Sequence, residues 1–292
     1  MTNKAFSHNG VDIHIAAHLS DLTEGLEWCT NTQGSLTHHD NVLEGIRIGS
    51  SESSADIING HNVCTFLCRD KQGDGHKANT SDTFTSWLKM SLDAMRDRER
   101  VGVVVEGKHR SLVAAGIILP EPEQFAVAGA FVVTDVWFDW VVSEQGQSAD
   151  RVLMARLELC DGQGIWWNSS TAAASSQEIG TSTEFCSSCE RPLARRYKEG
   201  DVFCGHPECP TRLDPAQSTG LSIKTRDYAP EYLARRTPLP AQYSRSFNLV
   251  PPAPAAPTVD QLKAWFADKD NNHPGWKSWN CSNCKRFNCR ME

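Results

Sequence analysis

The sequence lacks the long apolar run that a membrane-spanning helix needs. No stretch of its 292 residues approaches the run of about 18 apolar residues that marks such a helix. Residues 1–6 also lack the layout of a secretory signal, in which a charged stretch precedes an apolar one. We therefore expect an intracellular protein with no membrane partner.

Established catalytic motifs are missing too: there is no Gly-x-Ser-x-Gly, phosphate-binding loop or dinucleotide fingerprint. His38 and Asp40 form a His-x-Asp, the pair that begins an Fe(II) facial triad, with His61, His76 or His109 as a third ligand. That pair stands in a polar stretch without a strand pattern, and it occurs often by chance. We therefore assign no catalytic and no cofactor-binding residue.

Charge is unevenly distributed behind the net value of −7. Residues 183–292 contain 16 Lys+Arg and 12 Asp+Glu, a net +4, which leaves 13 and 24 for residues 1–182, a net −11. Phosphate binding needs clustered cations, so a general nucleic-acid surface is excluded from the acidic part. The basic part could carry such a surface.

Patterning predicts an α+β fold, with a small β-rich, barrel-like domain and one packed helix over residues 82–168. The helix begins at Ser81 or Asp82, and strands follow at 101–105, 112–119, 125–142 and 151–160. The 125–142 run is broken near Thr134 and Asp135. Polar and apolar residues alternate over 151–160, so we expect one face of that strand to be solvated. The apolar helix positions are Phe84, Trp87, Leu88, Leu92 and Met95.

Composition divides the rest of the chain. Residues 1–80 are predicted to be poorly defined and partly disordered. The segments that follow residue 168 are a linker at 169–182, a zinc module at 183–247, a Pro-rich linker at 248–257, and a short helix with an incomplete second zinc module at 258–292.

The cysteines carry the strongest chemical signal. There are eleven, an odd number, and seven of them follow residue 185 in short-gap groups, which favours metal over disulfides in a reducing compartment. The first group is a Cys-x2-Cys, a fourteen-residue spacer and a Cys-x4-Cys: Cys186, Cys189, Cys204 and Cys209. Two such knuckles supply the four tetrahedral donors of structural zinc. His206 could replace one thiolate, and a redox Cys-x2-Cys or packing cysteines are the weaker alternatives.

The second group, Cys281, Cys284 and Cys289, offers three thiolates. Either His273 completes a Cys3His site, or the fourth ligand lies beyond this sequence, and we favour the second alternative, in which the chain is a fragment. Neighbouring cations and aromatics could contact a nucleic-acid backbone and its bases. The alternative is that the aromatics wrap the metal and the cations are solvated.

Several motifs together resemble a known family. Their order is the 129–137 strand, the Asp161–Trp167 end Asp-Gly-Gln-Gly-Ile-Trp-Trp, the first cysteine group, residues 227–240 and the last cysteine group. This order is similar to the N-terminal half of fungal, mushroom-type proteins that carry an AlkB-like 2-oxoglutarate/Fe(II) dioxygenase domain. The resemblance implies zinc at the cysteines named above. It places the family's iron ligands and its 2-oxoglutarate-binding Arg downstream of Cys289, so Fe(II) and 2-oxoglutarate would serve only a C-terminal domain.

Two functional hypotheses follow. In the first, the chain is a non-catalytic zinc-binding accessory region that joins a dioxygenase domain and engages nucleic acid, which would favour a nuclear location. In the second, it is a stand-alone adaptor that binds protein partners.

Overall fold

The computed structural model describes residues 4–23, 25–30, 36–49, 56–70, 79–120, 124–142, 149–167, 185–190, 193–198, 202–204, 209, 227–244, 247–250, 279–280 and 287–288. The strands in these ranges are β1 (Lys4–His8), β2 (Val11–Ala16), β3 (Leu36–His39), β4 (Val42–Ile48), β5 (Ile57–Asn59), β6 (Asn62–Asp70), β7 (Arg100–Glu106), β8 (Phe125–Val142), β9 (Ala149–Leu159), β10 (Leu193–Arg195), β11 (Val202–Cys204), β12 (Trp279–Asn280) and β13 (Phe287–Asn288). The helices are α1 (Leu19–Thr23), α2 (Asn79–Asp97), α3 (Arg110–Ala114) and α4 (Pro230–Ala234).

Nine strands form one sheet that curls into a half-barrel. The order along it is β3-β4-β7-β8-β9-β6-β5, and β2 pairs with both β1 and β8. Only the β4–β7 pair is parallel among these described strands. The 18-residue strand β8 is the spine, since it pairs with β7, β9 and β2. The prediction of a β-rich α+β fold is therefore confirmed.

Strand β8 is continuous through the point where the sequence pattern breaks. Its register against β9 shifts between Val133 and Asp135, so Thr134 is an extra residue on one strand. Such a bulge bends and twists a strand without ending it. Side chains alternate along a strand, so Asp135, Trp137 and Asp139 share one face of the sheet. Because of the bulge, this is the face opposite the one on which Phe131 and Val133 join the main core.

Helix α2 closes one face of the sheet, as its pattern predicted. Phe84 and Met95 are buried in the main hydrophobic core, and Trp87, Leu88 and Leu92 pack against it. Core partners from the sheet include β-branched side chains such as Val101, Val103 and Val105 on β7. Burial of these residues from water is the main favourable contribution to this layer.

The segment predicted as a strand at 112–119 is a short helix followed by a turn. The Nδ1 atom of His109 accepts a hydrogen bond from the Ser111 backbone at 3.2 Å, which caps the start of α3. Gly116 adopts a φ of +73°, a conformation that ends helices and that glycine adopts without strain. Leu112, Ile117 and Leu119 are still buried in the core. The segment was therefore correctly expected to be apolar and packed, but its residue spacing was wrongly interpreted as that of a strand.

Residues 1–80 were predicted to be poorly defined, and the structure differs. Strands β1 to β6 all lie before residue 71 and belong to the same sheet as β7, β8 and β9. One sheet therefore contains strands from both sides of the domain boundary predicted at residue 82. Strands β1 to β6 form three antiparallel pairs, β1–β2, β3–β4 and β5–β6, and two residues join the strands of each pair.

No helix within the described ranges is both long and apolar enough to cross a membrane.

Candidate metal centre and its contact with the sheet

Four cysteines of the first group converge in space. The ligand atoms of Cys186, Cys189, Cys204 and Cys209 all lie within 4.8 Å of one another. The sulfurs of Cys186 and Cys209 are 3.6 Å apart, and those of Cys189 and Cys204 are 3.3 Å apart. The predicted grouping of these four residues is therefore present in the structure.

The arrangement fits a tetrahedral zinc ion. Zinc–sulfur bonds of about 2.3 Å at tetrahedral angles put neighbouring sulfurs about 3.8 Å apart, close to the distances found here. Four thiolates and no open position are the donor set of structural sites, whereas catalytic zinc keeps a site for water or substrate. Such a zinc ion would cross-link two knuckles of the chain.

Local backbone structure brings the two knuckles together. The amide of Glu190 donates to the Cys186 carbonyl at 2.8 Å, which closes the turn that carries Cys186 and Cys189. Strand β10 pairs with β11 so that Leu193 faces Cys204, and Leu193 packs against the cysteines. The fourteen-residue spacer thus contains an antiparallel hairpin, as the spacing predicted.

The chain that follows the first knuckle lies on the sheet face opposite α2. We call residues 193–198, 227–244 and 247–249 the covering chain. Its backbone is held together by an isolated bridge between Tyr197 and Tyr228, and the Ala229 amide donates to the Arg196 carbonyl at 2.9 Å. The covering chain therefore acts as one layer, attached directly to the cysteine centre at residue 193.

Arg196 anchors this layer to β8. Its Nη2 donates to Asp135 Oδ2 at 3.1 Å, and its guanidinium carbon lies 4.4 Å from the Trp137 ring centroid. Burial alone would lower the pKa of Arg196, but the Asp135 carboxylate, with Tyr232 and Tyr197, raises it above its ordinary value. A cation and a carboxylate that neutralise each other in this way can be buried together.

Tyrosines complete the buried contact. Tyr232 donates to Asp135 Oδ2 at 2.8 Å, while Tyr197 donates to Asp139 Oδ2 and accepts from Trp137 Nε1 at 3.2 Å. Tyr228 packs between the other two tyrosine rings, at centroid distances of 5.1 and 6.0 Å. Burial raises the pKa of all three tyrosines well above the ordinary value, so all three stay protonated at neutral pH.

A second polar contact fixes the covering chain to β9. Glu158 is fully buried, and both of its carboxylate oxygens accept a hydrogen bond from the Thr237 amide, at 3.0 Å each. The same carboxylate forms ion pairs with Arg156 and with Arg236, each at 3.2 Å. Arg156 also donates to the Arg235 carbonyl. These contacts correct the prediction of a solvated face on residues 151–160: Val152, Met154, Arg156 and Glu158 are all buried.

The far end of the covering chain holds Trp28. Phe247 stacks on Trp28 at 5.2 Å between ring centroids, and Trp28 Nε1 donates to the Asn248 carbonyl at 2.7 Å. The opposite side of the indole lies against Gly45 and Gly102, where a side-chain carbon on Gly102 would be 2.2 Å from the ring. The sheet needs glycine there because the indole occupies that space.

Other predicted or alternative site residues take different places. Five of them lie outside the described residues: His206, His273, Cys281, Cys284 and Cys289. Strand β12, which precedes Cys281 in sequence, pairs antiparallel with β13, which follows Cys284. The second zinc site therefore stays a prediction.

The alternative iron ligands that the structure describes are not brought together, and His76 lies outside the described residues. His38 and Asp40 are exposed at the tip of the β3–β4 hairpin, whereas His109 is buried as the α3 cap. Burial, with Arg110 nearby, lowers the pKa of His109 to about 4.

Cys64 and Cys68 are both buried, but they lie on opposite faces of the sheet. Cys64 packs beside Trp137 under the covering chain, while Cys68 belongs to the main core on the α2 side. A register shift between Phe66 and Cys68 separates them, since residues four apart would otherwise share a face of the strand. Burial raises the pKa of Cys64 to about 12, so its thiol is protonated at neutral pH.

Sequence reasoning missed the residues that attach the centre to the sheet. In the sequence, Asp135 marks only the break in the 125–142 run, and Asp139 follows it within the same run. Tyr232 and Tyr228 are four residues apart and Arg196 follows directly after β10, yet no local pattern pairs them with β8. The sequence did contain a weak signal. Asp135 and Asp139 each lie two residues from Trp137 in an apolar strand, and carboxylates buried there need polar or charged partners.

No family model matches the sequence, and no curated protein matches it. Among solved structures, the chain is similar to KRYPTONITE in complex with mCHH DNA, an H3(1-15) peptide and SAH, with a TM-score of 0.35, 11% identity and coverage of 58% of this chain and 36% of that chain. The SUVH5 SRA–fully methylated CG DNA complex has a TM-score of 0.34, 12% identity and coverage of 56% and 98%. The modification-dependent TagI restriction endonuclease has a TM-score of 0.35, 13% identity and coverage of 66% and 67%. TM-scores at this level do not establish a shared fold, so they assign no ligand to this chain.

Proposed function

We propose that this chain is a zinc-stabilised, β-rich binding module whose ligand is nucleic acid. The proposal of a zinc-stabilised module is supported by the four-cysteine centre. That centre is joined to the covering chain, which buried ion pairs hold to the sheet. The polar groups around the centre serve the contact between layers: Asp135, Asp139 and Glu158 each hold a residue of the covering chain. We therefore propose a structural role for the metal and a binding role for the module.

Charge supports nucleic acid as the ligand class. Residues 183–292 carry a net +4, against −11 for the remainder. Two exposed cations of the covering chain, Arg195 and Lys198, lie beside the cysteine centre. Lys198 also forms an exposed ion pair with Asp227, at 2.9 Å. Exposed cations on one face attract a phosphate backbone and release its counterions.

Fluorescence anisotropy with labelled oligonucleotides tests this proposal. The full chain is titrated against single-stranded and duplex DNA and against RNA at several salt concentrations. We expect binding that weakens with salt, and a double variant Arg195→Gln/Lys198→Gln should reduce the log–log slope by about 0.7 to 0.9 for each phosphate contact that it removes. Lys89→Gln, an exposed change on α2 across the sheet, is the matched control and should leave the slope unchanged.

Absence of binding to every oligonucleotide at low salt would overturn the nucleic-acid proposal and favour a protein-binding adaptor. An equal reduction of the salt slope in Lys89→Gln would show that the nucleic-acid-binding surface is not specific to the region beside the cysteine centre.

On the motif order described above, we propose further that the module serves an AlkB-like dioxygenase domain. The chain would hold nucleic acid for that domain, which would supply the Fe(II) and 2-oxoglutarate chemistry. Sequencing the gene beyond the codon for Glu292 tests this step. A reading frame that continues into a His-x-Asp…His motif supports it, and a stop codon directly after Glu292 contradicts it.

A further inference from the structure

Cys189 differs from the other three cysteines of the centre in exposure. Cys186, Cys204 and Cys209 are buried, with 5%, 1% and 6% of their surface exposed, whereas Cys189 is partly exposed. An oxidant in solution therefore meets the sulfur of Cys189 first. The sulfur of Cys204 lies 3.3 Å from the sulfur of Cys189.

The cysteines elsewhere in the described structure are poor competitors for an oxidant. All four of them are buried: Cys29, Cys64, Cys68 and Cys160. Burial raises the pKa of the Cys29 thiol to about 11, and it also raises the pKa of Cys160. A protonated thiol in apolar surroundings reacts slowly, since the thiolate is the nucleophile. A metal centre, by contrast, holds its sulfurs as thiolates.

We propose that Cys189 and Cys204 are a peroxide-sensitive pair that closes as an intrachain disulfide. The Cys189 thiolate attacks hydrogen peroxide, the O–O bond breaks, and the products are Cys189 sulfenic acid and hydroxide. The Cys204 thiolate then attacks the Cys189 sulfur, the S–O bond breaks, and a second hydroxide leaves. Two thiolates lose two electrons and one peroxide gains them, so the step balances.

Closure of this pair removes two of the four donors. Cys186 and Cys209 alone cannot complete a tetrahedral site, so we expect the zinc ion to leave. The hairpin β10–β11 lies between the two oxidised residues and stays closed by the new bond. The inference rests on the four-cysteine centre and is independent of the nucleic-acid proposal.

Disulfide mapping of the zinc-loaded full chain tests the pair. The protein is treated with substoichiometric hydrogen peroxide, remaining thiols are alkylated, and the chain is cut with trypsin and a Glu-specific protease. Cleavage after Glu208 separates Cys204 from Cys209, and cleavage after Glu190 releases Cys186 and Cys189 on one peptide. Fragmentation of that peptide then shows which of the two is linked.

The expected first product joins Cys189 to Cys204, with Cys186 and Cys209 alkylated. Dimedone added with the peroxide should label Cys189, and a chromophoric chelator should detect zinc in proportion to that disulfide. Cys160→Ser is the control variant and should give the same map. A first disulfide between Cys186 and Cys189, or between Cys186 and Cys209, would overturn the proposal, as would oxidation of Cys29 or Cys160 before Cys189.

Replacing Cys204 distinguishes its proposed reaction with the Cys189 sulfenic acid from a role in packing alone. In Cys204→Ser, dimedone labelling of Cys189 should persist at higher yield, because the thiolate that lies 3.3 Å from Cys189 and resolves its sulfenic acid is absent. If Cys189 remains unlabelled in both wild type and Cys204→Ser, it is not the peroxide-reactive residue.

Discussion

Arg196 and Asp135 are 61 residues apart in sequence, and their side chains meet at 3.1 Å under the covering chain. Arg196 follows β10 directly, in the connection between β10 and β11, and Asp135 belongs to the spine strand of the sheet. The contact therefore connects the cysteine centre to the sheet through a buried ion pair. Its energetics decide whether the two parts behave as one folding unit.

Replacing Asp135 with alanine should be strongly destabilising. The change leaves the Arg196 guanidinium buried without its carboxylate and also removes the acceptor of the Tyr232 hydroxyl. Breaking a buried pair by removing one partner costs about 3–5 kcal/mol in the free energy of unfolding. Urea unfolding, followed by circular dichroism, measures it.

Asp227→Ala is the matched control for that experiment. Asp227 pairs with Lys198 at 2.9 Å with its side chain 77% exposed, and exposed pairs contribute less than about 1 kcal/mol. Equal losses of stability in the two variants would show that the Arg196 contact is not a buried anchor.

Two tyrosine-to-phenylalanine variants separate hydrogen bonding from packing. Tyr232→Phe removes a 2.8 Å hydrogen bond to the Asp135 carboxylate and should cost about 1.5–3 kcal/mol. The buried Tyr228 hydroxyl has no hydrogen-bond partner among the described residues, so Tyr228→Phe should be neutral or slightly stabilising. Thermal unfolding of both variants measures the difference, and a larger loss in Tyr228→Phe would refute this assignment.

A methyl group at Gly102 should displace Trp28. The added carbon would lie 2.2 Å from the indole ring, and overpacking of this kind costs about 1–3 kcal/mol. Gly49→Ala is the control, because its nearest atom, on Glu106, would be 3.4 Å away. Tryptophan fluorescence and urea unfolding report on both. Unchanged stability in Gly102→Ala would mean that the indole can leave its place without cost.

His109 should make stability depend on pH between about 6.5 and 4. Its pKa in the folded chain is lowered to about 4, so the unfolded chain binds the proton more readily. The contribution is fully present above the unfolded value and is lost as the pH falls through this window, by about 3 kcal/mol at most.

His109→Asn isolates that effect. Asparagine can still accept the Ser111 amide hydrogen bond at the start of α3, but it does not titrate in this range. The difference in unfolding free energy between wild type and variant should shrink as the pH falls from 7 to 4. A difference that stays constant would show that His109 does not titrate on unfolding.

Local patterns predicted the parts of the fold that depend on neighbours in sequence. The apolar spacing of α2, the alternation over β9 and the knuckle spacing of the first cysteine group all correspond to observed elements. Each signal is contained within about thirty residues.

The rest depends on partners that are distant in sequence. Arg156 and Glu158 alternate with apolar residues as on a solvated face, yet both are buried because residues 235–237 cover them. Nothing local to β9 indicates that cover. The interpretation of 112–119 as a strand failed for a different reason, since a histidine side chain caps a helix that its apolar residues alone do not specify.

Zinc stoichiometry tests the central claim most directly. The full chain, purified without added metal, is compared with Cys204→Ser by elemental analysis, with Cys160→Ser as the matched cysteine control. Cys204→Ser should contain one zinc ion per chain fewer than both wild type and the control, and its covering chain should become sensitive to protease. Equal zinc content in all three proteins would mean that the four cysteines do not bind zinc.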